Sequence, residues 1–415
     1  MLCRYGPFFL ATLSAFALPG LVTSADWPQF RGADRTDISP DTGLLRQWPA
    51  DGPKLKWTFE KAGIGYSGPS IVGDKVFIMG TRKDREVLIA ITEASGEELW
   101  FAEIGSVYEN GWGDGPRGTP TVDGDRVYAM GGQGELLCVA VEDGSIIWRC
   151  NMDDYGGSLP SWGYCESPLI DGNQLVCSPG GSQGAIVALN KLDGEMIWQS
   201  EKVLDGAQYS SIVVANFNGV RQYVQLFMES LVSVNAEDGS LIWESPWPGS
   251  TAVVPTPIIR GQQVYVSSGY NAGCKLMEIT SDDVAAEVYA NKVMKNHHGG
   301  IVLVGDYLYG YSDGPGWVCQ DFATGETVWS EKDKLGKGAI SCADEMLYCI
   351  DERDGNVVMI EASPDGWKEH GRFKLEPLTE LRKPSGGIWT HPVIVNGKLY
   401  LRDQELFFCY DVNGS

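Results

Sequence analysis

Apolar and polar positions alternate in short runs along most of this chain, and tight turns cut the runs apart. PSIVGDKVFIMG, PTVDGDRVYAM, PLIDGNQLVC, PIIRGQQVYVS, VLVGDYLYGY and PVIVNGKLYL each read as two strands around a turn. Most of those turns are Gly-Asp, Asp-Gly or Asn-Gly, where glycine and asparagine tolerate the positive φ that a hairpin needs. A third strand follows in VLIAI, LLCVAV, AIVALN and LVSVNA. A glycine turn then leads to a fourth strand that ends in an aromatic residue.

That aromatic residue recurs at Trp57, Trp100, Trp148, Trp198, Trp243, Tyr289, Trp329 and Trp367, at intervals of 38 to 50 residues. Gly96, Gly144, Gly194, Gly239 and Gly325 each stand four residues before a tryptophan. Four antiparallel strands repeating every 45 residues or so describe a propeller blade, and a sandwich lacks such a repeat. The repeat tryptophans are expected to pack between blades rather than to line a binding box.

The first motif, KLKWTF, has no three strands of its own before it. The last unit, THPVIVNGKLYLRDQELFFCYDV, has three strands and no closing one. Pairing them leaves no free sheet edge. The expected fold is therefore all-β: an eight-bladed β-propeller over residues 54–415, the last blade closed by the N-terminal strand. The fifth unit lacks its glycine, and the seventh, IEASPDGW, is degenerate.

Residues 1–25 read as a secretory signal, with Arg4, an apolar stretch from Phe8 to Leu18, and small residues Thr23, Ser24 and Ala25 at a cleavage point. The apolar stretch is too short for a permanent membrane span. The mature chain is expected to begin near Asp26 and to be periplasmic or secreted. Residues 26–53 form a Pro/Gly-rich strap, and no second domain remains. The net charge of −23, spread along the chain, argues against nucleic acid and anionic lipid as partners.

Nine cysteines remain outside the leader. Cys138 with Cys150, Cys165 with Cys177, and Cys342 with Cys349 flank turns at spacings that place each pair across a hairpin, within reach of a disulfide. An odd count leaves at least one free thiol. No zinc-type Cys/His spacing is present.

Propeller topology brings the link from each outermost strand to the next innermost strand to one mouth of the central channel, and loops converging on a rigid scaffold are the default site. These links carry Trp112, Arg117, Trp162, Tyr164, Glu166, Trp389 and three of the four histidines, His297, His298 and His391. Arg117, Trp162, Glu166 and Trp389 are the candidate ligand contacts. The three histidines are the candidates for a metal, although adjacent His297 and His298 are expected to point apart. No nucleophile–base arrangement, paired-carboxylate motif or phosphate-binding glycine loop is present, so no catalytic residue is assigned.

AITEASGEELW (90–100) and ALNKLDGEMIW (188–198) resemble the tryptophan-docking repeat of the quinoprotein-type propellers. DWPQFRGADRTDISPDTGLLRQWP (26–49) is similar to the strap of exported PQQ-like proteins of planctomycete-type bacteria. The resemblance covers essentially the whole mature chain. It implies one of two activities: a dehydrogenase holding pyrroloquinoline quinone (PQQ) and calcium at the mouth, or a non-catalytic scaffold such as the lipoprotein of the outer-membrane barrel assembly machine. Arg117 lies where the enzymes place an arginine on a quinone carboxylate. The Cys-Cys pair that covers the quinone is absent, and CSPGGSQG (177–184) has no acid where a calcium-ligating glutamate would follow.

The expectation is a scaffold without resident cofactor, with a protein partner. It should show a narrow, plugged channel. The alternative, a PQQ- and calcium-dependent alcohol dehydrogenase, would bind a small-molecule substrate in an open pocket with oxygen ligands around Arg117. A third reading is a carbohydrate-binding or lyase-like propeller, with Trp112, Trp162 and Trp389 as exposed, coplanar sugar platforms.

Overall fold

The computed structural model describes residue 1 and residues 25–414. The secretory signal expected at the N-terminus thus falls almost wholly outside the described residues. Eight antiparallel sheets follow one another around a ring; seven hold four consecutive strands running from the channel outwards, and the eighth is composite. Blade one comprises Ser70–Val72, Lys75–Arg82, Arg85–Thr92 and Glu98–Ser106. Blade eight joins Val393–Val395, Lys398–Asp403 and Leu406–Asp411 to Lys54–Phe59, so the ring closes through the N-terminal strand as the truncated first and last motifs required. Among the described residues no helix is long and apolar enough to cross a membrane.

The core is eight separate clusters, one in each gap between neighbouring blades. The Gly–Trp motif explains this division. A β-bulge beside seven of the eight repeat aromatics tips the ring into the gap, and for five of them the glycine turn of the next blade covers it. A Cβ at Gly239, whose φ is +71°, would lie 2.3 Å from the Trp198 ring. Only glycine allows both that φ and that approach. Indole N–H groups complete the lock: Trp57 donates to the Glu93 carbonyl at 3.2 Å and Trp148 to that of Lys191 at 3.0 Å.

Blade seven departs from the reading. Trp367 precedes the outer strand Glu369–Lys374 instead of closing it, and it packs on Trp329 in the gap behind. The position that a docking aromatic fills elsewhere, beside the bulge and opposite the third strand, is here Gly371 facing Met359. A Cβ on Gly371 would sit 2.5 Å from Cβ of Trp48. Trp48 of the strap fills the vacated space. Its ring lies 5.9 Å from Tyr348 at 52°, matching Tyr128 with Trp148 at 6.0 Å and 47°.

The rest of the strap runs through the centre of the ring. Trp27 bridges to Ile71, and the Pro28 carbonyl accepts from Val122 N–H. Arg35 donates to the carbonyls of Ser167, Pro168 and Ile212, and Arg31 to that of Ile301. Ile38–Ser39 then adds a parallel fifth strand to the inner edge of blade seven. The channel is plugged by its own N-terminal segment. Buried arginines are tolerated there because each guanidinium meets several main-chain carbonyls that would otherwise lack donors.

None of the anticipated disulfides forms, and all nine cysteines among the described residues are free thiols. The bulge between Ile146 and Trp148 sets Cys138 against Trp148 rather than Cys150. The Cys342 hairpin turns at Asp344 and Glu345, both at positive φ, one residue earlier than expected. Cys342 therefore faces Leu347, and Cys349 faces Ile340. Cys165 lies in the loop before its strand, while Cys177 is at the end of the next one.

Candidate functional site at the channel mouth

The links between blades do converge. Tyr66, Arg117, Trp162, Tyr209, His297, Lys337 and Trp389, each from a different link between blades, line a single cavity of about 540 Å³. Trp112 stands at its rim, about half exposed. The floor is the strap: Trp27, Phe30, Arg31 and Asp37 face the cavity. Residues that the reading passed over also line it, among them Tyr270, Asp313, Glu352 and Arg353. They sit on turns between second and third strands, which propeller connectivity places on the same face as the links. The topology held that information, but the loop compositions drew attention to the longer links alone.

One wall is a run of aromatic rings. Tyr66 stacks on Trp389 at 4.8 Å, Trp389 meets His298 at 5.2 Å, His298 meets His297 at 4.3 Å, and His297 meets Tyr270 at 4.6 Å. Successive rings turn by 30° to 74° rather than lying coplanar. Across from them Trp162 packs edge-on to Tyr209 at 5.8 Å.

Both adjacent histidines are neutral. Burial pushes His297 down to about 4, with the Lys337 ammonium adding to the effect, and burial carries His298 well below the ordinary imidazole range. His297 Nδ1 lies 2.9 Å from Lys337 Nζ, and His298 Nε2 lies 3.3 Å from Glu352. His391 is pinned by Nδ1 to Asp37 at 2.8 Å and by Nε2 to the His298 carbonyl at 3.0 Å. The three imidazoles are therefore spent on separate partners. Among the described residues no three histidine, cysteine or acidic side chains converge as a metal-ligand set.

Arg117 donates Nη1 to the Gly115 carbonyl at 2.7 Å and Nη2 to that of Gly113 at 2.6 Å. Its guanidinium lies over the rings of Tyr66 and Tyr108, at 5.4 and 4.9 Å. Tyr108 in turn hangs from Glu86, whose carboxylate accepts from Tyr108 and Gly132 N–H. Burial raises Glu86 to about 7.

Glu166 does not line the cavity. It points between blades, accepting from Ser178 N–H at 2.7 Å with its other oxygen unpartnered. Burial raises it to about 7, against the pull of the Ser178 N–H and the Arg35 charge. A carboxyl raised this way keeps its proton in the fold after the unfolded chain has released its own near pH 4.5. Native stability therefore falls as pH rises from about 4.5 to 7, by roughly 2–4 kcal/mol for this group. In Glu166→Gln that share of the pH dependence should be absent, while the share of Glu86, which burial also raises to about 7, remains. Urea midpoints of parent and variant at about pH 5 and pH 8 would show it, and equal changes in the two proteins would refute the assignment.

A family profile described as PQQ_2, outer membrane protein assembly factor BamB, matches residues 83–331, more than half of the chain. The chain belongs to this family. Outer membrane protein assembly factor BamB of Shewanella oneidensis is 23% identical over 350 residues, covering 76% of this chain and 77% of that one. The crystal structure of BamB from Moraxella catarrhalis aligns with a TM-score of 0.59 at 14% identity, over 83% of this chain and 94% of that one. Quinohemoprotein alcohol dehydrogenase from Comamonas testosteroni aligns with a TM-score of 0.63 at 12% identity, over 94% and 81%. At such identities the structural likenesses carry the fold alone.

The shared fold calls for a test of whether this mouth suits a quinone with calcium. Calcium takes about six to eight oxygen ligands. Here Asp37, Asp313 and Glu352 each face a cation, at 3.5 Å from Arg31, 2.7 Å from Lys337 and 3.8 Å from Arg353. Arg117 gives one N–H from each terminal nitrogen to its own loop and keeps donors for a carboxylate, so the calcium half of the pair is the one that lacks ligands. As arranged, these residues do not fit that pair.

Proposed function

We propose that this chain is an exported, non-catalytic propeller of the cell envelope that serves as a scaffold for protein assembly. The observation that carries the reading is the plugged channel: strap residues hydrogen-bonded to the inner strands close the ring beneath the mouth cavity. Membership of a family described as an outer membrane protein assembly factor supports it. The opening DWPQFRG string supports placement among exported, planctomycete-type members. The working surface in this reading is the loop-rich mouth or an exposed outer strand that accepts an added strand.

The alternative quinoprotein reading keeps one observation in its favour, that Arg117 faces the cavity. Reconstitution separates the two. Purified mature chain is titrated calorimetrically with PQQ and Ca²⁺ and assayed for alcohol-dependent dye reduction. In parallel, a photo-crosslinker at Trp112 is activated in cells. A discrete protein crosslink without quinone turnover is the expected result. Turnover that Arg117→Ala weakens would sink the scaffold reading.

A further inference from the structure

We propose that the mouth cavity receives the carboxyl end of a partner chain, its terminal carboxylate against Arg117 and an aromatic or aliphatic last side chain against the ring wall. This rests on the scaffold reading and adds the kind of partner segment the mouth accepts.

The shape comes first. The cavity opens at the mouth, and its floor is closed by Trp27, Phe30, Arg31 and Asp37 of the strap. A strand that had to continue through the ring would meet that floor. A chain terminus need only enter. The volume of about 540 Å³ is that of a small-guest site. It holds the last few residues of a chain and is too narrow for a folded element.

The charges then choose which end. Seven ionised side chains line the cavity, and six of them form three pairs: Arg31 with Asp37, Lys337 with Asp313, and Arg353 with Glu352. Of the three lining histidines, burial holds His297 and His298 neutral, and His391 is spent between Asp37 and the His298 carbonyl. Arg117 is left, in no salt bridge among the described residues: it touches two carbonyls and two ring faces, and the buried Glu86 behind Tyr108 feels its charge without reaching it. A cavity with one cation in excess, on a chain whose net charge is −23, attracts an anion locally and repels acidic guests elsewhere. An amino terminus would add a second unmatched cation. A carboxylate supplies the missing counter-charge by a charge-assisted hydrogen bond.

The wall chooses the side chain. Tyr66, Trp389 and His298 offer ring faces and edges at mutual tilts, and Trp162 with Tyr209 offers the same opposite. Offset and edge-on contacts suit an aromatic or bulky aliphatic group. Rings at such differing tilts do not make the parallel slot that a flat, fused-ring guest would need.

The test uses the full mature chain and three probes: an N-acetylated pentapeptide of glycine and serine ending in phenylalanine with a free carboxyl, the same peptide as its C-terminal amide, and PQQ. Tryptophan fluorescence and calorimetry read binding. The free acid is expected to bind at least tenfold more tightly than the amide. Arg117→Gln should bring the two to equal affinity, and Trp389→Ala should weaken both. The acid–amide comparison on the parent chain needs no variant, so a misfolded Arg117→Gln would not blunt it. Equal affinity of acid and amide, or no binding of either at millimolar concentration, overturns the proposal. If that failure comes with a discrete protein crosslink at Trp112, the scaffold reading stands alone. Quinone binding with turnover overturns both.

Discussion

Trp48→Ala is expected to destabilise the fold by about 3–5 kcal/mol, the range for emptying a buried tryptophan site. Trp48 is almost fully buried in the gap between blades seven and eight, among Tyr348, Ile350, Phe373 and Leu401. Its space is shaped by Gly371, which has no side chain to relax into the void. The indole N–H has no partner, so Trp48 contributes through packing rather than hydrogen bonding. Trp48→Phe should therefore recover most of the loss. Trp367→Ala, at the position the repeat nominates, removes a partly exposed ring and should cost less, about 1–2 kcal/mol. Denaturant unfolding of the three variants decides the point. A larger loss from Trp367→Ala would return the docking role to it.

Arg35→Ala is expected to cost a similar amount, about 3–5 kcal/mol. The change strips donors from the carbonyls of Ser167, Pro168 and Ile212 at once, all of them buried. It also removes the positive charge that opposes the rise of Glu166. The damage should spread to the mouth, because the strap that Arg35 anchors is the cavity floor. Amide exchange at Val122, whose N–H is held by the Pro28 carbonyl, should accelerate beyond what the global loss alone predicts. Unchanged exchange there, with stability lowered, would mean that the strap does not move as one body.

The repeat made blade number and ring closure legible because each is written in local pattern. Hairpin turns, strand alternation and the Gly–Trp spacing act within 45 residues or so, and covering Trp198 demands glycine at position 239 whatever the rest of the ring does. The mouth was legible for the same reason: connectivity alone assigns each link to one face. Cysteine pairing failed where a single residue mattered. A one-residue move of the turn to Asp344 and Glu345 displaces the partner of Cys342 by two positions, and nothing in the composition around it announces the move.

Glu166 shows the other limit. Its link reaches the mouth, yet the side chain turns inward to Ser178 N–H, beside the charge of Arg35, which is distant in sequence and carried by a different element. The sequence by itself determined an eight-bladed ring closed by its first strand, because those features follow from short-range turn and strand chemistry repeated along the chain. Only the tertiary structure decided that the strap fills the channel, that Trp48 replaces the missing docking ring of blade seven, and that Arg117 is the unmatched charge of the cavity. Each of those depends on contacts between residues far apart in sequence, where no periodicity constrains the partner and only shape and charge in three dimensions select it.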